Sequence, residues 1–414
     1  PHISYYDAAN GYLKYAYQDT SGWHIEVVDS EGQVGEYTSL ALDSDQHPHI
    51  SYYHGWPKGY LKYVYQDATG WHMETMDSEE RVGLYTSLAL DEDGYPHISY
   101  WDGGYSYWES GNDDLKYAYQ DASGWHIETV DSEGQVGEYT SLALDSDQHP
   151  HISYWDDDNA ALKYAHKDAS GWHIETVDSG GGVYSSLALD GDGYPHISYY
   201  DTAKGGLKYA YQDASGWHIE TVDKGWGVGL ETSLALDRNG YPHISYGTAG
   251  LKYAYQNASG WHIETVDSGG YSTSLILDRD GHPHISYLDF GNKDLKYAYR
   301  DTSGWHIEIV HSDVEAWYTS LALDVDGHPH ISYYDAANGY LKYAYQDTSG
   351  WHIETVDSEG RVGKYTSLTL DASGYPHISY YDYSNYDLKY AHYHAIRELY
   401  LPLIRKAPQL SAFD

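Results

Sequence analysis

The sequence predicts an all-β fold, a β-propeller of four-stranded blades, and three observations lead to this prediction. The pentapeptide PHISY begins at residues 1, 48, 96, 150, 195, 242, 283, 329 and 376, which defines repeats of a 47-residue type spaced 41 to 54 residues apart. Each repeat contains four short segments rich in Tyr, Ile, Leu, Val or Thr, separated by Gly, Asp, Ser or Asn, as strands and turns are. Four strands in a repeat of this length are typical of a propeller blade.

The first repeat shows the predicted strands in chain order, which are PHISYYD (1–7), LKYAYQD (13–19), GWHIEVVD (22–29) and YTSLALD (37–43). Alternation along LKYAYQD puts Leu13, Tyr15 and Tyr17 on one face of the strand, with small or polar residues on the other. A register that pairs Tyr17 with Trp23 keeps the bulky side chains together. Each blade is therefore predicted to stack its bulky face on the small face of the next.

The YTSLALD segment follows the same alternation. Leu40 and Leu42 fall on the face of Ile50 and Tyr52 in the PHISY segment that follows. Every strand then has apolar neighbours, yet one blade alone cannot bury enough surface to fold. The repeats are therefore predicted to form one body.

The repeat "SLALDxDGxPHISYYD…LKYA…GWxIETVD" resembles tandem-repeat β-propellers of secreted bacterial proteins. The resemblance covers residues 1–394, which are predicted to form a single propeller domain. It implies that TSLALD is the innermost strand of each blade, followed by PHISY, LKYA and an outer WHIE strand. It also implies an extracellular, bacterial location. Residues 395–414 leave the repeat as a tail, whose segment ELYLPLI (398–404) is a candidate outer strand for the last blade.

The number of blades is ambiguous, because the segments are not equally numerous. There are nine PHISY and nine LKY segments, but eight GWH and eight SL segments. A nine-blade ring is favoured, with eight blades as the alternative. In a third arrangement, incomplete terminal blades join subunits into an open assembly. Because Pro1 lies inside a repeat, we expect a processed or truncated product.

The charge excludes several classes of partner. The formal net charge is −40, from 63 acidic and 23 basic residues, so phosphate backbones and anionic lipid are repelled. Nucleic acid is therefore not an expected partner. Membrane insertion is not expected either, because no apolar run approaches the roughly 18 residues that a span needs. The chain has no cysteine, so no disulfide framework is predicted.

The repeated His, Lys and Glu residues are interpreted as structural. The histidines of PHISY and GWH lack the spacing of a zinc site, so we expect them to hydrogen-bond between blades. The LKY lysines are predicted to pair across strands with the WHIE glutamates, as Lys14 with Glu26. No nucleophile motif or HExxH is present, and no blade-specific acid–base pair stands out. The chain is therefore predicted not to be an enzyme, with no catalytic residues.

Four turns between the SL and PHISY segments carry clustered carboxylates. They offer oxygen ligands that calcium prefers, although the turns are shorter than an EF-hand loop and lack its terminal Glu. Asp and Gly are also what a tight hairpin turn requires, and this second interpretation is favoured. Apart from calcium here, no cofactor is predicted. The candidate ligands are Asp91, Asp93, Asp190, Asp192, Asp278, Asp280, Asp324 and Asp326.

Departures from the repeat cluster in the connections after PHISY and after WHIE, which emerge on one face of a propeller. Six tryptophans outside GWH lie there: Trp56, Trp101, Trp108, Trp155, Trp226 and Trp317. Most PHISY segments also end in an aspartate: Asp7, Asp102, Asp156, Asp201, Asp289, Asp335 and Asp382. Aromatic rings beside carboxylates can hold a sugar. Drift in unconstrained loops and turn-starting aspartates are the competing interpretations.

These observations predict a non-catalytic, extracellular propeller that acts as a multivalent binding scaffold. Its expected partner is a polysaccharide or a cell-surface glycan, because weak sites on one ring gain affinity from a multivalent ligand. The alternative is a structural protein that self-associates through its terminal blades into a filament or layer. A third hypothesis, placed last, is an enzyme of the sialidase or lyase type.

Overall fold

The computed structural model of the chain is all β, as the sequence predicts. It describes residues 2–7, 12–19, 22–24, 26–27, 29, 34–55, 59–79, 81–103, 112–248, 250–358, 360–372, 374–382 and 387–393. The side chains of 2–27, 34–36, 381–382, 387–390 and 392–393 lie outside this description. The described residues form strands numbered β1 to β35 in chain order, and they include no helix long and apolar enough to cross a membrane.

Seven complete blades, numbered in chain order, each hold four antiparallel strands. Blade one holds β5 (Val34–Leu42), β6 (Pro48–His54), β7 (Tyr60–Asp67) and β8 (Gly70–Asp77). Blade two holds β9 (Val82–Leu90), β10 (Pro96–Asp102), β11 (Asp114–Asp121) and β12 (Gly124–Asp131). Blade three holds β13 (Val136–Leu144), β14 (Pro150–Asp156), β15 (Ala161–Asp168) and β16 (Gly171–Asp178). Blade four holds β17 (Val183–Leu189), β18 (Pro195–Tyr200), β19 (Gly206–Asp213) and β20 (Gly216–Lys224). Blade five holds β21 (Leu230–Leu236), β22 (Pro242–Gly247), β23 (Leu251–Asn257) and β24 (Gly260–Asp267). Blade six holds β25 (Tyr271–Leu277), β26 (Pro283–Asp289), β27 (Asp294–Asp301) and β28 (Gly304–His311). Blade seven holds β29 (Ala316–Leu323), β30 (Pro329–Asp335), β31 (Tyr340–Asp347) and β32 (Gly350–Asp357).

The eighth position of the ring is a partial blade, so the prediction of nine blades is wrong. It holds β33 (Val362–Leu370), β34 (Pro376–Asp382) and β35 (Asp387–Tyr393). The strands β1 (His2–Asp7), β2 (Tyr12–Asp19), β3 (Gly22–His24) and β4 (Glu26–Val27) join the same sheet, where β2 pairs with β35. The two incomplete repeats therefore share one place, and nine PHISY segments occupy eight positions. The tail segment 398–404 lies outside the described residues.

The ring closes through the same hydroxyl contact at every blade boundary. The serine of each PHISY strand whose side chains are described bonds to a Thr or Ser on the inner strand of the next blade, as Ser51 Oγ does to Thr86 Oγ1 at 2.5 Å. The last boundary is no exception, because Thr38 Oγ1 of blade one lies 2.8 Å from Ser379 Oγ of the eighth position. TSLALD is thus the innermost strand, as the resemblance implied.

The predicted inner register is confirmed, and the outer one is wrong by one residue. Leu40 pairs with Ile50 as expected. In the outer hairpin, however, Tyr17 pairs with His24 rather than with Trp23. The turn sets this register. In blade one it has two residues, and Asp67 pairs with Gly70 while its Oδ1 accepts a 2.7 Å bond from the Thr69 N–H.

The cores lie between blades, where bulky residues meet small ones as predicted. Between blades one and two, the buried Leu61 and Tyr63 pack with Ile98, Tyr100 and the small Ala118. The same composition recurs at the following boundaries. Because each cluster takes residues from two blades, neither blade completes its core alone.

Among the described side chains, no LKY lysine pairs with a WHIE glutamate, which corrects the prediction, and the predicted pair Lys14 and Glu26 lies outside the description. Lys208 Nζ instead donates to Asp178 Oδ2 at 2.6 Å, and Asp178 ends the outer strand of the preceding blade. The Tyr199 hydroxyl donates to the same oxygen at 2.7 Å. The outer register explains the error, because it places the WHIE glutamate opposite a tyrosine. Glu175 accepts a 3.1 Å bond from Trp217 Nε1 of the next blade.

The repeated histidines are structural, but they bond within a blade rather than between blades. His196 Nδ1 contacts the Tyr209 hydroxyl, and its Nε2 lies 3.5 Å from Asp190 Oδ2. Burial lowers the pKa of His196. The outer-strand His218 Nε2 lies 3.0 Å from Asp213 Oδ1 in the same hairpin. Both histidines therefore brace strands inside one blade.

Candidate functional site

The connections that follow the PHISY strands and the outer strands lie together on one side of the ring, which we call the loop face. Backbone bonds join the two kinds of connection. The Asp157 N–H donates to the Gln135 carbonyl at 2.9 Å, and the Ala336 N–H donates to the Glu315 carbonyl at 2.9 Å. The LDxDG and QDxSG turns lie at the other ends of the strands, on what we call the turn face.

The predicted tryptophans do not form one cluster on the loop face. Trp101 and Trp155 are buried, and Trp155 Nε1 donates to Asp157 Oδ1 at 3.1 Å. Trp226 is 75% exposed, and Trp317 is half-buried. Trp56 and Trp108 lie outside the described residues. Of the four that are described, Trp226 presents the most open ring to a ligand.

The strand-end aspartates are buried and already hold hydrogen bonds. Asp156, Asp289 and Asp335 each accept bonds from the backbone and side-chain amide of an asparagine three residues later. Asp201 accepts from the backbone of the following turn, and Asp102 accepts from Asn112 Nδ2 at 3.4 Å. These contacts are those of turn-starting residues. The side chains of Asp7 and Asp382 lie outside the description.

The pKa values of these aspartates shift in different directions. Burial raises the pKa of Asp102, even though Lys116 Nζ lies 3.0 Å away. Burial also opposes ionisation of Asp289, but the hydrogen bond and charge of Lys296 at 2.6 Å outweigh it and lower the pKa. Sugar hydroxyls would reach these carboxylates only by displacing such contacts.

A group of three rings at the surface, which we call the aromatic cluster, lies between blades six and seven. Its members are Tyr271, Phe290 and Trp317. The Phe290 and Trp317 ring centroids are 5.9 Å apart, and those of Tyr271 and Phe290 are 6.0 Å apart. Phe290 is 52% exposed. Sequence reasoning found only Trp317, although a signal was present, because Phe290 is one of two phenylalanines in the chain.

A channel runs along the axis of the ring, and its mouth on the loop face is lined by one residue from each inner strand. All eight have a positive φ, between 50° and 56°, at the point where the strand register shifts. We call them the channel ring: Tyr37, Tyr85, Tyr139, Tyr184, Glu231, Ser272, Tyr318 and Tyr365. Seven blade positions contribute to the lining of an open cavity of ≈ 400 Å³. Such a volume suits a small molecule.

Neighbouring tyrosines of the channel ring pack against each other. The centroids of Tyr37 and Tyr85 are 4.6 Å apart, and those of Tyr85 and Tyr139 are 4.8 Å apart, with planes tilted by 49° and 45°. Successive blades of an eight-position ring are rotated by a similar angle, so these two pairs of tyrosines pack in the same way. The phenols crowd the axis, and burial raises the pKa of Tyr139.

Glu231 and Ser272 interrupt the tyrosines at neighbouring positions. Glu231 Oε2 accepts a 2.9 Å bond from the Ser272 N–H, and burial raises the pKa of the Glu231 carboxyl. Burial raises the pKa of Tyr184 and of Tyr318, the tyrosines on either side of this pair, and the charge of Glu231 adds to both shifts. Sequence reasoning missed this site. The signal was the residue before TSL or SSL, which is Tyr except in LETSL and YSTSL.

The candidate calcium turns lie on the turn face. Asp278 Oδ1 accepts bonds of 2.8 Å from the N–H groups of Asp280 and His282. Ligand atoms of these three residues lie within 4.8 Å of one another, and Asp324, Asp326 and His328 repeat the group. In the other two turns, Asp91 and Asp190 bond the backbone in the same way, while Asp93 and Asp192 are exposed. Calcium binding here stays a prediction.

Fold and site together define a β-propeller with aromatic side chains on its loop face and a tyrosine-lined axial channel. No protein-family model matches the chain, and no curated protein matches it. Among solved structures it is similar to the Dos1 propeller, with 11% identity and a TM-score of 0.52 over 87% of this chain and 93% of that one. This likeness shows the fold alone.

Two further solved structures have lower TM-scores. AofleA from Arthrobotrys oligospora is 12% identical, with a TM-score of 0.43 over 75% of this chain and 89% of that one. The SapL1 lectin in complex with α-methyl fucoside is 14% identical, with a TM-score of 0.42 over 78% of this chain and 97% of that one. Similarity at this level carries no argument about the ligand of this chain.

Proposed function

We propose that the chain is a non-catalytic, extracellular scaffold that binds carbohydrate at several places on its loop face. One observation carries the proposal, namely that the ring holds exposed aromatic side chains on its loop face. The rings of Trp226, Phe290 and Tyr271 are 75%, 52% and 37% exposed. Exposed aromatic rings gain free energy when a ligand covers them and removes them from water.

A sugar fits these rings better than a purely apolar ligand does. The apolar face of a pyranose stacks on an aromatic ring, while its hydroxyls need polar partners. The loop face supplies such partners beside the aromatic cluster, where Lys293 Nζ and Glu315 Oε1 form an exposed pair at 2.5 Å. The strand-end aspartates support a non-catalytic role, because their carboxylates already accept hydrogen bonds from turn amides or form ion pairs with lysines.

Multivalency follows from the geometry of the ring. Trp226 follows blade four, and the aromatic cluster lies between blades six and seven, so one polymer can contact both. Linked contacts raise the overall affinity by about 10²- to 10⁴-fold without any new interaction. We therefore expect a polysaccharide to bind far more tightly than its monosaccharide.

The test is a glycan array followed by calorimetry with the best polysaccharide. Trp226→Ala and Trp317→Ala should each weaken binding at least tenfold. Val325→Ala is the matched control, because Val325 is 58% exposed on the turn face and should leave binding unchanged. Absence of binding to any glycan, or equal loss in all three variants, would refute the proposal.

A further inference from the structure

The two interruptions of the channel ring create a site unlike any other around the axis. Elsewhere a tyrosine fills each position, as Tyr139 and Tyr184 do at 4.9 Å between centroids. At blade six, Ser272 brings no aromatic ring to this position. At blade five, Glu231 places a carboxylate in the lining of the cavity. The serine and the carboxylate adjoin, because the Ser272 N–H donates to Glu231 Oε2.

The Glu231 carboxylate lacks a compensating cation within the described part of the chain. It accepts one hydrogen bond there, from the backbone N–H of Ser272, and no described lysine or arginine forms an ion pair with it. The groups beside it in the cavity are hydroxyls, such as Thr232 and Thr273. A half-buried carboxylate with one neutral donor is poorly solvated, and burial raises the pKa of Glu231.

The aromatic cluster begins one residue away from Ser272, whose N–H donates to this carboxylate. Tyr271 precedes Ser272 in the chain, and its ring centroid is 6.5 Å from that of Trp317. Trp317 in turn precedes Tyr318, a member of the channel ring. In β25 and in β29, a residue of the aromatic cluster is therefore followed directly by a residue of the channel ring.

We infer that the channel mouth at blades five to seven binds a pyranose carrying a protonated amine, with its ring on the aromatic cluster and its ammonium on Glu231. This inference rests on the proposed carbohydrate-binding function and names the sugar class. The ammonium supplies the missing counter-charge and three N–H donors for the carboxylate and the channel hydroxyls. A neutral sugar leaves the charge uncompensated. The net charge of −40 also favours a cationic glycan.

The test compares two tetrasaccharides by calorimetry at pH 6, a β-1,4-linked glucosamine tetramer and its fully N-acetylated counterpart. We expect the amine form to bind at least tenfold more tightly. Glu231→Gln should abolish that preference. Glu231→Tyr, which restores the residue of the other repeats, should abolish it too, and this variant is well suited to folding. Val325→Ala on the turn face should retain the preference, and thermal melts verify that each variant is folded.

Each other result overturns the inference. Equal binding of both tetramers, with Glu231→Gln unchanged, would remove the amine site but leave the proposed carbohydrate function standing. Failure of every glycan to bind would remove both. Spermidine serves as a third ligand, and binding as tight as that of the glucosamine tetramer would show that any amine suffices and that the sugar is not recognised.

Discussion

Lys342 shows what one substitution does to a repeated contact. In the other described boundaries the LKY lysine meets the aspartate that ends the preceding outer strand, as Lys208 meets Asp178. Ahead of blade seven that position is His311, whose Nδ1 lies 2.8 Å from the Tyr333 hydroxyl. Lys342 Nζ donates to Thr355 Oγ1 at 3.1 Å instead. Burial and the charge of Lys342 lower the pKa of His311. This boundary therefore lacks the lysine–aspartate ion pair that the others have.

Restoring the repeat at this boundary should stabilise the protein. His311→Asp is expected to raise the free energy of unfolding at pH 7 by about 1 kcal/mol, because Lys342 gains a partly buried counter-charge. Asp178→Asn, the converse change, should lower it by about 2 kcal/mol, since Lys208 then keeps only Asp201, whose Oδ2 lies 3.1 Å from its Nζ. Urea denaturation measures both. A loss of stability in His311→Asp would contradict the interpretation.

The buried PHISY histidines should make the protein sensitive to acid. Burial lowers the pKa of His330 to about 4, and it also lowers the pKa of the equivalent His49, His97, His151, His196, His243 and His284. An unfolded histidine titrates near 6.5, so the unfolded state takes up protons first. The free energy of unfolding should therefore fall as the pH drops from about 6.5 to about 4.

His330→Gln tests this origin of acid sensitivity. Between pH 6.5 and pH 4 the variant should lose about 3 kcal/mol less stability than the unsubstituted protein, because one pKa difference is removed. Urea denaturation at half-unit pH intervals gives the two slopes. Identical slopes would show that other groups govern the acid response.

Strand order and blade architecture were predictable, because alternation and turn residues are local. Leu40 lies opposite Ile50 as expected. The outer register was missed, since it depends on how Asp67 and Gly70 close a two-residue turn. The partners of the repeated lysines were missed for a different reason. Lys208 meets a residue of another blade, and such a contact exists only once two blades are stacked.

The candidate site was only partly predictable. Trp226 and Trp317 were found because tryptophan stands out in a variable connection. The channel ring was not found, because a positive φ at tyrosine is uncommon and cannot be inferred from an otherwise ordinary strand. Glu231 and Ser272 became meaningful only when the ring around them was visible.

A glycine at the start of the inner strand should be indispensable. Gly83 has φ +108°, and a Cβ there would lie 2.8 Å from the Leu61 Cα. Gly70 has a similar φ of +121°, but nothing lies within 4 Å of its Cβ position. Gly83→Ala is expected to lower the free energy of unfolding by about 3 kcal/mol, and Gly70→Ala by about 1 kcal/mol. Chemical denaturation compares the two. Equal effects would show that backbone strain alone acts at Gly83.

The molecule as a whole is a ring of seven complete blades and a partial eighth. Its closure relies on a contact of the same kind as the others, Thr38 with Ser379, and on Tyr37 and Tyr365 of the channel ring, whose centroids are 5.3 Å apart. Incomplete repeats at 2–27 and 376–393 meet in one sheet. Self-association through these terminal strands stays a prediction.

Electron microscopy of the purified protein should therefore show discrete discs. Class averages are expected to have eight radial positions, because eight inner strands surround the axis. Sedimentation at micromolar concentration should give a single species of 46.8 kDa. Nine-fold discs would contradict the closure described here. Fibres or sheets would favour the structural alternative and make the terminal strands the functional region.

The uniform hydroxyl contact between blades has a consequence for engineering. Because Thr38 and Ser379 make the bond that Ser51 and Thr86 make, blade one meets the partial eighth position through the same hydroxyl contact that joins the complete blades. A circular permutant opened at the turn after Asp190 would meet the same contacts at each junction. Blades one to three should then tolerate exchange, whereas blades four to seven must keep their order, because they carry Trp226, the aromatic cluster and the two interruptions of the channel ring.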